Sequence, residues 1–235
     1  VVDVRLPAPG DPRPLVVVLH GGFWRAKWDR GHIAPLAAAL AAQGWPVAVV
    51  EYRRTGQRGG GWPGTFEDVA AGIAAAPALA DAALAERGRP PLPAGAVVLG
   101  HSAGGQLALW YAGSPADPPV RGVVALAPVA DLAEAYALNL DGGAVAALLG
   151  GGPADVPERY AAADPMRRPP VVPATVLHGG LDAQVPVDLS RRYVETARAA
   201  GAPAALIELP DAEHFGLIDP ESPPWVTVTT ALRSV

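Results

Sequence analysis

Gly100-His101-Ser102-Ala103-Gly104 sets a serine between two glycines, with the apolar run Ala96-Val97-Val98-Leu99 before it and a helix-like run, Gln106 to Ala112, after it. That pattern suits acyl transfer. A serine hydroxyl is a weak nucleophile, and an enzyme that uses one holds it on a tight strand-to-helix turn where a histidine can take its proton. Two residues either side of the serine, strand and helix backbones nearly touch, so a Cβ at Gly100 or Gly104 would collide. The serine is expected at positive φ, a strain of about 1–3 kcal/mol that the surrounding fold must hold. The competing reading is an ordinary turn with a serine capping a helix, common in a chain with 27 glycines.

Three other segments favour the catalytic reading. Upstream, Leu15-Val16-Val17-Val18-Leu19 runs into His20-Gly21-Gly22-Phe23-Trp24, a strand followed by a glycine-rich turn. Downstream, Thr175-Val176-Leu177-His178 runs into Gly179-Gly180-Leu181-Asp182, and Leu206-Ile207-Glu208-Leu209 leads to Glu213-His214-Phe215. Each candidate thus follows a strand. Ser102 is assigned as nucleophile, His214 as general base and then acid, and Asp182 as the carboxylate that orients the imidazole. Asp188, Asp211 and Glu208 compete for the last role, but only Asp182 directly ends a turn after a strand. The Ala103 N–H is the first oxyanion donor, with Gly22 and Phe23 expected to supply the rest; losing one such donor typically costs about 10²–10³ in turnover. His20 is expected to brace that loop. His32, His101 and His178 carry no clear role and read as structural or solvent-facing. Trp24 and Phe215 adjoin catalytic positions and are candidates to wall a substrate site.

The elements that must position these residues alternate. Strands are predicted near 1–6, 15–20, 46–52, 95–100, 120–126, 174–178 and 205–209, and helices near 31–43, 66–86, 104–112, 188–200 and 223–233. Strands such as Val47-Ala48-Val49-Val50 are apolar on both faces, as interior strands of a parallel sheet are. Right-handed crossovers then give an α/β, doubly wound, mostly parallel sheet with helices on both faces, and ligands bind at the carboxyl ends of its strands. Residues 1–235 read as one domain. Segment 127–173 is longer than a simple connection and is expected to form a small cap over the site.

Composition narrows the chemistry. The chain has no cysteine, which excludes disulfides and a thiol nucleophile, and its five histidines show no metal-ligand spacing, so neither metal nor cofactor is expected. A net charge of −5 with scattered Lys and Arg gives no footprint for nucleic acid. No apolar run approaching a bilayer span and no signal peptide are read from the pattern, so the expectation is a cytoplasmic protein without a membrane partner. No feature sets an oligomeric state.

Taken together, His20-Gly21-Gly22-Phe23-Trp24, Gly100-His101-Ser102-Ala103-Gly104-Gly105, His178-Gly179-Gly180-Leu181-Asp182 and Glu213-His214-Phe215 resemble the α/β-hydrolase superfamily over nearly the whole chain, in its chain order of serine, acid and histidine. HGG-x-W with GHSAGG is similar to the kynurenine formamidase and hormone-sensitive-lipase-like carboxylesterase group. Phe23 stands where HGGG esterases have a third glycine, and Tyr52-Arg53-Arg54-Thr55-Gly56 departs from the lipase-like branch. The resemblance implies a serine carboxylesterase acting on small esters. The alternatives are an amidase such as an aryl formamidase and, more remotely, a non-catalytic small-molecule receptor.

Overall fold

The structure, a computed structural model, describes residues 1–114 and 120–235. Seven strands, β1 (Val2–Arg5), β2 (Val16–Leu19), β3 (Val47–Val50), β4 (Ala96–His101), β5 (Val120–Leu126), β6 (Ala174–Gly179) and β7 (Ala204–Leu209), form one sheet in the order β1-β3-β2-β4-β5-β6-β7. Only β1 runs antiparallel, against β3; the other pairings are parallel. This is the α/β-hydrolase type of mostly parallel, doubly wound sheet.

Alternation along the strands splits the core in two. Val17, Leu19, Ala48 and Val50 face helices α2 (Gly64–Ala85), α3 (Ala103–Ala112) and α7 (Asp188–Ala199), while Val16, Val18, Val47 and Val49 face α1 (Ala34–Ala42) and α8 (Trp225–Arg233). Both faces are covered, which is why the central strands carry no polar alternation. Helix α2 corrects one expectation: its 22 residues are, by length and composition only, long and apolar enough to cross a membrane. Here it lays Phe66, Val69, Ile73, Ala76, Ala80 and Leu84 into the core.

Strand order turns around between β2 and β4: the chain goes outward from β2 to β3 and then returns to β4 on the other side of β2. Such a switch point opens a crevice at the carboxyl ends of the two strands. From those ends emerge the His20-Gly21-Gly22 loop and the Ser102 turn. Segment 127–173 folds into three short helices, α4 (Leu132–Ala137), α5 (Ala144–Leu149) and α6 (Pro157–Ala163). The turn between α4 and α5 is left-handed at Asn139, Asp141, Gly142 and Gly143, and Arg25 of the β2 loop binds the Asp141 carboxylate and carbonyl.

Candidate active site

Ser102 sits between β4 and α3 at φ 56° and ψ −118°, a conformation a non-glycine residue holds only when its surroundings enforce it. Its N–H donates to the Leu126 carbonyl at 2.8 Å, and its own carbonyl accepts from Gln106 at 3.0 Å and Val129 at 3.3 Å. The glycines allow the approach. A Cβ on Gly100 would lie 2.1 Å from the Gly104 carbonyl oxygen, and one on Gly104 2.3 Å from that of Leu19. The Ser102 side chain makes no capping bond to its helix; the hydroxyl borders a cavity of about 500 Å³. The capping reading therefore fails: the side chain makes no helix cap and borders the cavity.

His214 borders the same cavity and donates from Nδ1 to Asp182 Oδ2 at 2.6 Å. The Asp182 side chain has no exposure. Its Oδ1 accepts from the Gln184 and Val185 N–H groups, both at 2.8 Å, and its Oδ2 also lies 3.2 Å from His178 Nε2. Burial alone would raise its carboxyl pKa, but the bonds from His178 and His214 outweigh that and hold it well below the usual carboxylate range. The competing acids lie elsewhere: Asp188 and Glu208 both bind Arg191, at 2.8 and 2.5 Å. With Nδ1 committed to Asp182, His214 Nε2 is the nitrogen left to accept a proton. Among the described residues no hydrogen bond joins Ser102 to His214.

Two histidines given no role on sequence grounds prove to position these groups. His178 receives a hydrogen bond from Ser190 Oγ at Nδ1 (2.7 Å) and donates from Nε2 to the Val185 carbonyl (2.9 Å) as well as towards Asp182. His101 donates from Nε2 to the His214 carbonyl at 3.2 Å, fixing the loop that carries the base. Burial, then the neighbouring His214, push the His101 pKa down, so its ring stays neutral. The local signal was available in one case: His178 stands four residues before Asp182.

Gly22, Phe23 and Trp24 are three successive residues at positive φ (107°, 46° and 57°). Across the crevice Ala103 opens α3, where its N–H has no intrahelical acceptor. The loop is braced from several sides. The Trp24 carbonyl accepts from both the N–H and the hydroxyl of Thr55 at 2.8 Å. Trp24 Nε1 donates to Gln106 Oε1 at 3.1 Å, and Gln106 Nε2 to the Ala163 carbonyl at 3.0 Å. Gln106 thereby joins the nucleophile's helix, the glycine loop and α6. Trp24 is fully buried and does not line the cavity, so its assignment as a substrate wall is corrected. Trp28 lines the cavity instead, packed on His32 at 5.3 Å, which meets Phe215 in turn at 6.0 Å.

His20 braces the loop as expected, with Nδ1 2.8 Å from the Gly21 carbonyl and Nε2 donating to Glu51 Oε1 at 3.1 Å. Glu51 also accepts from the Arg30 N–H and pairs with Arg54. Burial would raise the Glu51 pKa, but His20, the Arg30 N–H and Arg54 hold it at about 2. A depressed carboxylate stabilises the fold above its unfolded pKa of about 4.3, and that contribution disappears as pH falls through the folded value. Glu51→Gln is accordingly expected to lose about 2 kcal/mol of stability at pH 7. In urea titrations the gap from the parent should narrow between pH 5 and pH 2; a gap independent of pH would show that the charge does not matter.

Among the described residues no cluster of three or more His, Asp or Glu side chains could hold a metal ion. The cavity brings together a serine hydroxyl and an imidazole bound to a carboxylate, groups whose chemistry suits nucleophilic attack on a carbonyl.

Known proteins share this arrangement of elements. The chain is 28% identical over 246 residues to Esterase LipC and 29% identical over 227 residues to Esterase LipQ, both of Mycobacterium tuberculosis, covering 92% and 88% of this chain. It spans about half the length of these curated relatives, 56% and 51%. Among solved structures, a truncated carbohydrate esterase from gut microbiota superposes with a TM-score of 0.80 at 20% identity, over 99% of this chain and 90% of that one. Esterase B from Lactobacillus rhamnosis, inhibited by a tributyrin phosphonate, gives 0.79 at 20% identity, over 99% and 79%. These likenesses show the fold. The BD-FAE family model matches residues 2–196, which take in the glycine loop, the Ser102 turn and Asp182, and the chain belongs to the BD-FAE family.

Proposed function

We propose that this protein hydrolyses small carboxylic esters through an acyl-enzyme on Ser102. The observation that carries this reading is a strained serine, free of any structural bond, facing one cavity with a histidine already locked to a buried carboxylate. His214 Nε2 takes the Ser102 proton as Oγ attacks the ester carbonyl carbon. The negative charge that develops on the carbonyl oxygen meets the N–H groups of Gly22, Phe23 and Ala103. Collapse expels the alcohol, which leaves with the proton held on His214. Water then attacks the acyl-enzyme with His214 again as base, releasing the acid and restoring Ser102. Asp182 stays ionised throughout and stabilises the imidazolium.

The names of the mycobacterial relatives and of the structural neighbours support an ester rather than an amide. The test is kcat/KM for p-nitrophenyl butyrate beside N-formyl-L-kynurenine, with the Ser102→Ala protein as blank. Preference for the butyrate, lost in the blank, is the expected result. A preference for the formamide would make the protein an amidase, and turnover surviving in the blank would remove Ser102 from the chemistry.

A further inference from the structure

Of the 18 Lys and Arg residues in the chain, one is lysine, and it lies at the mouth of the active-site cavity. Lys27 holds its ammonium 5.1 Å above the Trp28 ring. Trp28 in turn packs directly on the oxyanion loop: a Cβ on Gly22 would fall 2.4 Å from the Trp28 Cβ. The ammonium thus lies over a ring that packs on the glycine loop beside Ser102.

Its charge is uncompensated. Three formally charged side chains line the cavity, Arg25, Lys27 and Asp141, and Arg25 is bound to Asp141. Asp182 lies behind His214 with no exposure. Asp29, two residues on from Lys27, accepts from the Gly31 N–H and is outside the cavity lining. Among the described residues Lys27 pairs with no carboxylate. Trp28 and Phe215, which also line the cavity, leave 42% and 52% of their surface exposed.

We propose that the substrates of this site carry an anionic group, a carboxylate on either the acyl or the alcohol part, and that Lys27 binds it while Trp28 and Phe215 hold the apolar body. This rests on the ester-hydrolysis reading and narrows its substrate class. A cation at a half-enclosed mouth attracts an anion more strongly than one on an open surface, and the attraction is screened by salt.

The experiment compares kcat/KM for two pairs of near-isosteric esters: 4-acetoxybenzoate with 4-acetoxybenzamide, which place the charge on the alcohol side, and mono-4-nitrophenyl adipate with 4-nitrophenyl heptanoate, which place it on the acyl side. In at least one pair the anionic-to-neutral ratio is expected to fall about tenfold in Lys27→Met, to be kept in Lys27→Arg, and to shrink as ionic strength rises from about 0.01 to 0.5 M. Arg121→Met removes the same charge from an exposed position near the start of β5, away from the carboxyl-end crevice, and should leave the ratio alone. Ratios that stay within twofold in Lys27→Met for both pairs, or that fall equally in Arg121→Met, overturn the proposal while Ser102-dependent turnover of the neutral esters leaves the parent reading standing. If the unmutated protein turns over none of the four, or turnover persists in Ser102→Ala, both fall together.

Discussion

Ser102→Ala is expected to lower kcat for a p-nitrophenyl ester by about 10⁶-fold, the loss seen when a serine hydrolase is stripped of its nucleophile. Stability should barely change. The hydroxyl caps nothing, and alanine can occupy the same φ of 56° at much the same strain as serine. That separation is the point of the experiment, because a structural serine predicts the opposite: lost stability with activity in proportion to the folded fraction. Residual rate above water is expected, since the amides of Phe23 and Ala103 still bind the oxyanion of a water-attacked ester. Activity within tenfold of the parent, with the fold intact by circular dichroism, would mean that another group attacks the carbonyl.

Where the sequence was legible, the reason is periodicity and punctuation. Val16–Leu19 and Val47–Val50 are apolar on both faces because helices cover both, and all seven strands emerge within a few residues of their predicted positions. The G-x-S-x-G spacing could be read because a backbone collision enforces it, at Gly100 and Gly104 alike. Side-chain direction within an irregular loop carries no such signal. After Gly22 the chain runs left-handed through Phe23 and Trp24, which turns Trp24 into the core and leaves Trp28 at the cavity. Asp141 reaches the cavity from a turn 39 residues beyond Ser102, brought there by Arg25, a contact that local pattern cannot reveal. Helix α2 does not read as a span because its apolar character is carried by alanines interrupted by Glu67, Asp68 and Asp81 rather than by an unbroken run.

Gln106 shows how the strained loop and the strained serine come to support one another. One turn along α3 from Ser102, its buried amide receives the Trp24 indole N–H and donates to Ala163. Ser102 and the glycine loop are thus both tied to α3. Positive φ at Phe23, Trp24 and Ser102 is a local cost of about 1–3 kcal/mol each, and such conformations persist where surrounding structure over-determines them.

Asp182→Asn should reduce kcat by about 10⁴-fold while sparing KM, because it changes which nitrogen of His214 carries the proton. The amide oxygen can keep the bonds from the Gln184 and Val185 N–H groups. The amide nitrogen then faces both His214 Nδ1 and His178 Nε2, where the carboxylate had accepted. Donating to His214 Nδ1, it forces the ring proton onto Nε2, the one position from which Ser102 cannot be deprotonated. Meeting His178 Nε2–H, it sets donor against donor. Stability should suffer as well, and with a definite pH signature. The Asp182 carboxyl is held well below its usual range in the folded state, so its ionised form stabilises the fold above the unfolded pKa of about 3.9, and this is lost as pH drops further. The stability gap between the parent and Asp182→Asn is therefore widest at neutral pH and closes below about pH 4. A variant with kcat within tenfold of the parent would move the orienting role to another acid; Asp188 and Glu208 are poor substitutes while they remain bound to Arg191.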